Sequence, residues 1–223
     1  MTGKSIMIQE TMTDSLSETE DYVDMPEACR NCTVAGCGGK SENAMGSNYI
    51  YYGTGKGKLN MSLGAALRAA DAGHKVLMYQ FVKTNPGIVY GKADSSKEGV
   101  AIGQLTGITK IATLPMKRFL FMMNEEEKEE AKAVNDRKLD EVMELAKSYD
   151  MLVLDEALYA VEMGVLSEEK LLHWMRRKPC HLELILTGRK PTEKIQAMAE
   201  FVTEIRKEKD NAMTGVSSRL GIE

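Results

Sequence analysis

From Asn48 to the C-terminus the chain predicts an α/β fold, a mostly parallel, doubly wound sheet with helices on both faces. Three observations predict it. Short β-type runs alternate with helical stretches along the whole segment. One run, Met151-Leu-Val-Leu154, is apolar throughout, as a central parallel strand covered on both faces must be. A Gly/Lys-rich turn, residues 53–58, joins the first strand directly to the first helix.

The elements follow in order. Tyr49-Ile-Tyr-Tyr52 is the first strand, and residues 58–72 form a helix with Leu59, Leu63, Ala66, Leu67 and Ala70 on one face. Gly73 stops that helix. Lys75–Val82 is the second strand, 83–99 a polar stretch, and Ile108–Thr113 a short third strand. Residues 124–148 form a long charged helix, capped by Asn124 and opened by three glutamates suited to the first turn. After Met151–Leu154, a helix over 167–177 starts at Ser167 with Glu168 and Glu169 in its first turn. Leu182–Leu186 is a strand, 192–199 a helix and Phe201–Ile205 a last strand.

The 223 residues suit one domain with a tail, and 43% hydrophobic residues supply a sizeable core. Residues 1–28 carry seven acids and one base, a charge of −6, so the rest of the chain carries +2 of the overall −4. This acidic tail has no sustained apolar period and reads as disordered or loosely held. A Cys/Gly-rich segment, 29–47, separates it from the α/β domain at 48–223. The pI near 5.6 argues against a nucleic-acid partner. No apolar run reaches the roughly 20 residues of a membrane span, and no secretory signal pattern opens the chain. A soluble, cytoplasmic enzyme is therefore expected.

The strongest chemical signal is Gly53-Thr-Gly-Lys-Gly-Lys58 between strand and helix. Glycines let backbone N–H groups curl around phosphate oxygens, and the helix N-terminus adds partial positive charge. Lys58 stands where it can reach terminal phosphates, and Lys56 adds a second cation. The P-loop pattern is Gly-x4-Gly-Lys-Ser/Thr; here Tyr52 replaces its first Gly and Leu59 its hydroxyl residue. The bland alternative is a Gly/Lys-rich surface turn. A second signal is the apolar strand ending in Asp155-Glu156. Such a strand is expected beside the phosphate loop, its terminal acid holding Mg²⁺ directly or through water. A third is Leu186-Thr-Gly-Arg189, where Arg189 is either a phosphate contact or a surface cation at a turn.

Together these motifs resemble a known family. The run Tyr51-Tyr-Gly-Thr-Gly-Lys-Gly-Lys58, with Arg68 and Gln80-Phe-Val-Lys83, is similar to the start of ATP:corrinoid adenosyltransferases of the P-loop type. So are Val-Leu-Asp155-Glu156-Ala, Leu-Thr-Gly188-Arg189-Lys-Pro and the ending Gly215-Val-Ser-Ser-Arg219-Leu-Gly-Ile-Glu223. The resemblance spans about residues 48–223 and implies a RecA-like fold and a homodimer. It implies transfer of the 5′-deoxyadenosyl group of ATP to a reduced corrinoid cobalt, with triphosphate released. It further implies Gly53, Thr54, Gly55, Lys56, Gly57 and Lys58 around the triphosphate, Glu156 with Asp155 at Mg²⁺, and Arg68 and Arg189 as nucleotide-side cations. The family's corrin-facing aromatic pair matches Phe119 and Phe121, whose alternative reading is ordinary core packing.

Two features depart from this frame. Members ordinarily carry Thr-Thr where this chain has Leu59-Asn60. Leu59 supplies no hydroxyl to Mg²⁺ or phosphate, and the Asn60 amide oxygen comes one position late. Cys29-x2-Cys32-x4-Cys37 lies outside the resemblance. Its spacing fits a Zn or Fe–S clip with Cys180 as a candidate fourth ligand, and equally fits inert or redox-labile thiols. Structural disulfides are not expected of four cysteines in a chain without a signal. A cluster would offer a route for electrons to cob(II)alamin, as would a separate electron-donor protein. Three functions thus stand open: an adenosyltransferase, a nucleotide- or corrinoid-binding paralogue without turnover, and a P-loop ATPase carrying a Cys metal clip.

Overall fold

The computed structural model describes residues 46–82, 107–114 and 120–209. The acidic tail, Cys29, Cys32, Cys37, Phe119 and the ending around Arg219 lie outside the described residues. The elements are β1 (Asn48–Tyr52), α1 (Lys58–Asp71), β2 (Val76–Gln80), β3 (Ile108–Lys110) and a 3₁₀ turn (Leu120–Met122). They continue with α2 (Glu125–Ala146), β4 (Met151–Asp155), α3 (Ala157–Glu162), α4 (Glu168–Arg177), β5 (Glu183–Gly188), α5 (Glu193–Gln196) and β6 (Phe201–Glu204).

The six strands form one sheet in the order β3-β2-β4-β5-β1-β6, and every pairing is parallel. All strands therefore point their C-terminal ends to the same edge. Side-chain alternation sends Leu77, Tyr79, Leu152, Leu154, Leu184 and Leu186 into a large core shared with α2, α3 and α4. Their neighbours Val76, Met78, Val153 and Ile185 face the other way, onto Ala65 and Ala66 of α1. That two-sided burial explains why these strands read as unbroken apolar runs. Among the described residues no helix is long and apolar enough to cross a membrane.

The helix boundaries follow local chemistry. At the start of α2, the Asn124 side chain accepts from Glu127 N–H while Glu127 reaches back to Asn124 N–H, a reciprocal cap. α1 ends at a left-handed Gly73, whose N–H and that of His74 satisfy the carbonyls of Ala70 and Ala69. α1 begins differently: its N-cap, Gly57, makes no side-chain cap.

β5 lies between β1 and β4, the arrangement of a RecA-like sheet. Two expectations need correction. The helix expected over 192–199 is only Glu193–Gln196, because Glu200 N–H is drawn to Asn48 O as the chain enters β6. Cys180 is disulfide-bonded, against the expectation of no structural disulfides. One element, α3, had no sequence-level counterpart.

Candidate functional site

The loop after β1 is shaped by contacts that exclude side chains. Gly53 has φ +122°, and a Cβ there would collide with the Ile205 carbonyl. At Gly55 a Cβ would stand 2.9 Å from the carbonyl oxygens of Ile205 and Arg206. Gly53 N–H donates to Arg189 O at 2.8 Å, and Gly55 N–H to Ile205 O at 2.9 Å. These two amides therefore pin the loop to the segments leaving β5 and β6. Lys58 Nζ folds back into the loop, donating to Gly53 O at 2.9 Å and Gly55 O at 3.0 Å. The ammonium is thus held over the loop at the N-terminus of α1, where an anion is favoured.

The two acids at the tip of β4 are placed very differently. Asp155 is 5% exposed, and both its oxygens are engaged inward. Thr187 Oγ1 donates to Asp155 Oδ1 at 2.6 Å, and Gln80 Nε2 to Oδ2 at 2.9 Å. Thr187 Oγ1 in turn accepts the N–H of Glu156 at 2.9 Å. Glu156 itself sits in the left-handed region, φ 57°, which turns the chain from β4 into α3. Burial pushes the Glu156 carboxyl above its usual range and the Asp155 charge adds to the rise; Lys58 and Arg189 pull it back. Glu156 is therefore the acid that shares its field with the two cations.

Arg189 follows β5 at the same edge. Gly188 lets this happen, since a Cβ there would meet Leu158 Cβ and the Tyr159 backbone nitrogen at 2.6 Å. The Arg189 guanidinium then stacks 4.5 Å over the Tyr159 ring centroid. Arg189 is exposed.

A model of the ATP:corrinoid adenosyltransferases BtuR/CobO/CobP matches residues 44–223. The chain belongs to this family. It is 26% identical over 184 residues to the corrinoid adenosyltransferase of Escherichia coli K12, covering 82% of this chain and 88% of that protein. The corrinoid adenosyltransferase CobA of Salmonella typhimurium gives the same identity and coverage. An uncharacterized Nostoc protein is 27% identical over 197 residues, of which the match covers 50%. Among solved structures, a KaiC-like protein from Pyrococcus horikoshii aligns at TM-score 0.41 and 17% identity, covering 74% of this chain and 75% of that one. The fold assignment rests on the strand order above.

Within this adenosyltransferase-family chain, Gly53 to Lys58, Asp155, Glu156 and Arg189 come together at the C-terminal edge of the sheet. Arg68 does not: it lies exposed in the last turn of α1, ten residues and about 15 Å along the axis from Lys58. Leu59 packs against the core beneath α1, while Asn60 is exposed. Phe121 is 76% exposed in the 3₁₀ turn, so it is no core residue. Among the described residues no cluster of three His, Cys, Asp or Glu side chains could hold a metal alone. A carboxylate beside a phosphate loop needs no such cage for Mg²⁺, which binds through one or two carboxylates plus phosphate and water. Sequence reasoning assigned no role to Gln80 and Thr187, the partners of Asp155. Their signal is a polar residue ending an apolar strand, in Leu-Met-Tyr-Gln80 and Ile-Leu-Thr187 alike.

Proposed function

We propose that this chain transfers the 5′-deoxyadenosyl group of ATP to the cobalt of a reduced corrinoid and releases triphosphate. The observation that carries the reading is the meeting of Lys58 and Arg189 with Glu156 at the Gly53–Lys58 loop, two cations and one acid suited to a triphosphate with its metal. In the reaction a cobalt–C5′ bond forms from the metal's electron pair. The C5′–O5′ bond breaks, and its pair leaves on triphosphate. No side chain has to move a proton, so the chain's residues bind, orient and exclude water.

Thr54, Lys56, Gly57 and Lys58 hold the triphosphate in a loop that Gly53 and Gly55 anchor, and the α1 N-terminus adds partial positive charge. Glu156, with Asp155 behind it, suits Mg²⁺, whose contribution when bound is to neutralise charge on the leaving triphosphate. Asn60 offers an amide oxygen close to the same place, and Arg68 serves a part of the nucleotide remote from the phosphates. Phe121, with Phe119, packs on the corrin face and displaces the lower axial ligand, which eases reduction of the cobalt. The same reading has a cytoplasmic homodimer supplied by an electron-donor protein.

Incubation with ATP, Mg²⁺ and chemically reduced cobalamin tests the proposal. The corrinoid spectrum should become that of an alkylated cobalt as triphosphate accumulates. Orthophosphate release with the corrinoid unchanged makes the chain an ATPase. A second reading has one observation in its favour: Leu59 is committed to packing and brings no oxygen to the metal. A paralogue of that kind binds ATP and corrinoid and returns both unaltered.

A further inference from the structure

The phosphate loop leaves β1 between two parallel neighbours. Tyr52, the last residue of β1, is in register with Gly188 of β5 on one side and with Glu204 of β6 on the other. Arg189 comes one residue past Gly188 and Arg206 two past Glu204, so an arginine follows each neighbouring strand. The loop is fitted closely to the Arg206 side. Gly55 N–H donates to Ile205 O at 2.9 Å, and a Cβ on Gly55 would meet the Arg206 carbonyl oxygen at 2.9 Å. Ile205 N–H in turn donates to Tyr52 O at 2.7 Å. Backbone geometry therefore fixes Arg206 beside the loop, on the flank away from β4 and Glu156. The side chain is oriented too. Arg206 Nε and Nη2 both donate to Glu204 Oε2, at 2.8 and 2.7 Å. That pair uses one edge of the guanidinium and leaves the Nη1–Nη2 edge for a second acceptor. The side chain is 73% exposed, and its outer edge matches two oxygens of a phosphate.

We propose that Arg206, held by Glu204, is a bidentate contact to the triphosphate, gripping it from the β6 flank of the loop opposite Arg189. The inference rests on the reading above that ATP lies at the Gly53–Lys58 loop. An exposed ion pair adds little to the stability of a fold, so the fold itself gives small reason for an arginine at this place. A triphosphate gives a large one, because it carries several negative charges along its length. Lys58 rises from the loop and Arg189 stands on the β5 side. On the β6 side the Glu204 carboxylate by itself would repel a phosphate. Paired with Arg206 it becomes the back support of a cation, and the guanidinium stands between carboxylate and ligand. A lysine at position 206 does less, since an ammonium is a point charge without a second edge to offer.

The test is calorimetric titration of the full chain with ATP and Mg²⁺ and, separately, with inorganic triphosphate, on wild type, Arg206→Ala and Arg206→Lys. Arg206→Ala should weaken both ligands by about tenfold or more, the scale of a charge-assisted pair. Arg206→Lys keeps the charge but not the fork and should recover only part of that loss. The melting temperature of the ligand-free chain should hardly move, which sets a ligand contact apart from a role in folding. Unchanged affinity for both ligands in Arg206→Ala overturns the proposal. So does weakened ATP with unchanged triphosphate, because the arginine then meets the nucleoside and not the phosphates. Full recovery in Arg206→Lys overturns the bidentate geometry, and a marked fall in melting temperature makes Arg206 a prop of the loop instead. A wild type that binds neither ligand sinks the nucleotide reading along with this one. Triphosphate binding that depends on Arg206, without any adenosyl transfer, leaves this inference standing while the transferase reading fails.

Discussion

The two ends of the parallel sheet use the same chemical groups to opposite ends. At the N-terminal edge, charged side chains are spent on neighbouring backbone: Glu183 accepts Ser47 N–H at 2.8 Å, Asp150 accepts Lys75 N–H at 2.7 Å, and Lys178 holds two carbonyls. At the C-terminal edge, Glu156, Lys58 and Arg189 sense one another across an open loop. Among the described residues the non-glycine residues with positive φ, Val82 and Glu156, both follow strands at this second edge. Unfavourable backbone of this sort costs about 1–3 kcal/mol per residue and persists where neighbours hold it. One edge is a fastening, and the other keeps charge and strain in reserve for a ligand.

The sharpest way to break that comparison is a pair of variants, one per edge. Glu156→Gln should lower adenosyl transfer by about 10²–10³-fold, the scale of removing one electrostatic partner of a developing charge. Lys178→Met should leave kcat unchanged while costing about 1–3 kcal/mol of stability, because two carbonyls lose a buried donor. Steady-state kinetics beside denaturant unfolding would decide. Equal loss of kcat in both variants would erase the division between the edges.

Next in size is the loop lysine. Lys58→Ala removes a charge-assisted contact worth about 1.5–3 kcal/mol, so ATP affinity should fall roughly 10- to 150-fold by calorimetry. An unchanged affinity would mean that phosphates do not lie at the α1 N-terminus.

The contrast between the edges was only partly legible in the sequence. The loop, Asp155-Glu156 and Arg189 stood out because glycines, lysines and acids directly after apolar runs suit a charged ligand and not a core. Their relative placement did not, since chain order says nothing about β5 entering between β1 and β4. α3 was missed because it is six residues long and begins at a left-handed Glu156, which no propensity anticipates. Gln80 and Thr187 look like frayed strand ends until the register sets Gln80 opposite Asp155. The fastening at Lys178 was invisible, because its partners are carbonyls 132 residues away and four residues away.

The Asp155 clamp offers an intermediate effect. Thr187→Val leaves both Asp155 Oδ1 and Glu156 N–H without their partner, and should cost about 1–3 kcal/mol in unfolding experiments. Gln80→Leu should cost less. It removes one donor to Asp155 but also removes Gln80 Oε1, a buried acceptor with no hydrogen bond. The reverse order would show that Gln80, not Thr187, carries the clamp.

The raised Glu156 carboxyl gives a smaller effect with a definite sign. The folded chain binds this proton more tightly than the unfolded chain, whose carboxyl titrates near 4.5. Stability from this group is therefore highest below pH 4.5 and is lost as pH rises through the folded value. Without ligand, Glu156→Gln should melt progressively higher than wild type as pH climbs past that window. A melting difference that is flat with pH would place Glu156 in open solvent, away from Asp155.

The smallest change expected is also the one that runs upward. Leu59→Thr adds one hard oxygen where the metal and phosphates meet the α1 N-terminus, a position that tolerates Thr. A single added polar contact is worth about 0.5–1.5 kcal/mol, so transfer should rise roughly two- to tenfold. The substitution also strips Leu59 from the apolar cluster beneath α1, so melting temperature should fall while activity rises. That opposite movement distinguishes a gain at the site from a general firming of the fold. No rise in a folded, ATP-binding variant would mean that Asn60, water or Glu156 already completes the metal shell, or that the corrinoid side is lost. Corrinoid titration of wild type and Phe121→Ala separates these. Tight wild-type binding that weakens in Phe121→Ala keeps the adenosyltransferase reading and assigns the missing oxygen to another donor. A wild type that binds no corrinoid sinks that reading, whatever stands at position 59.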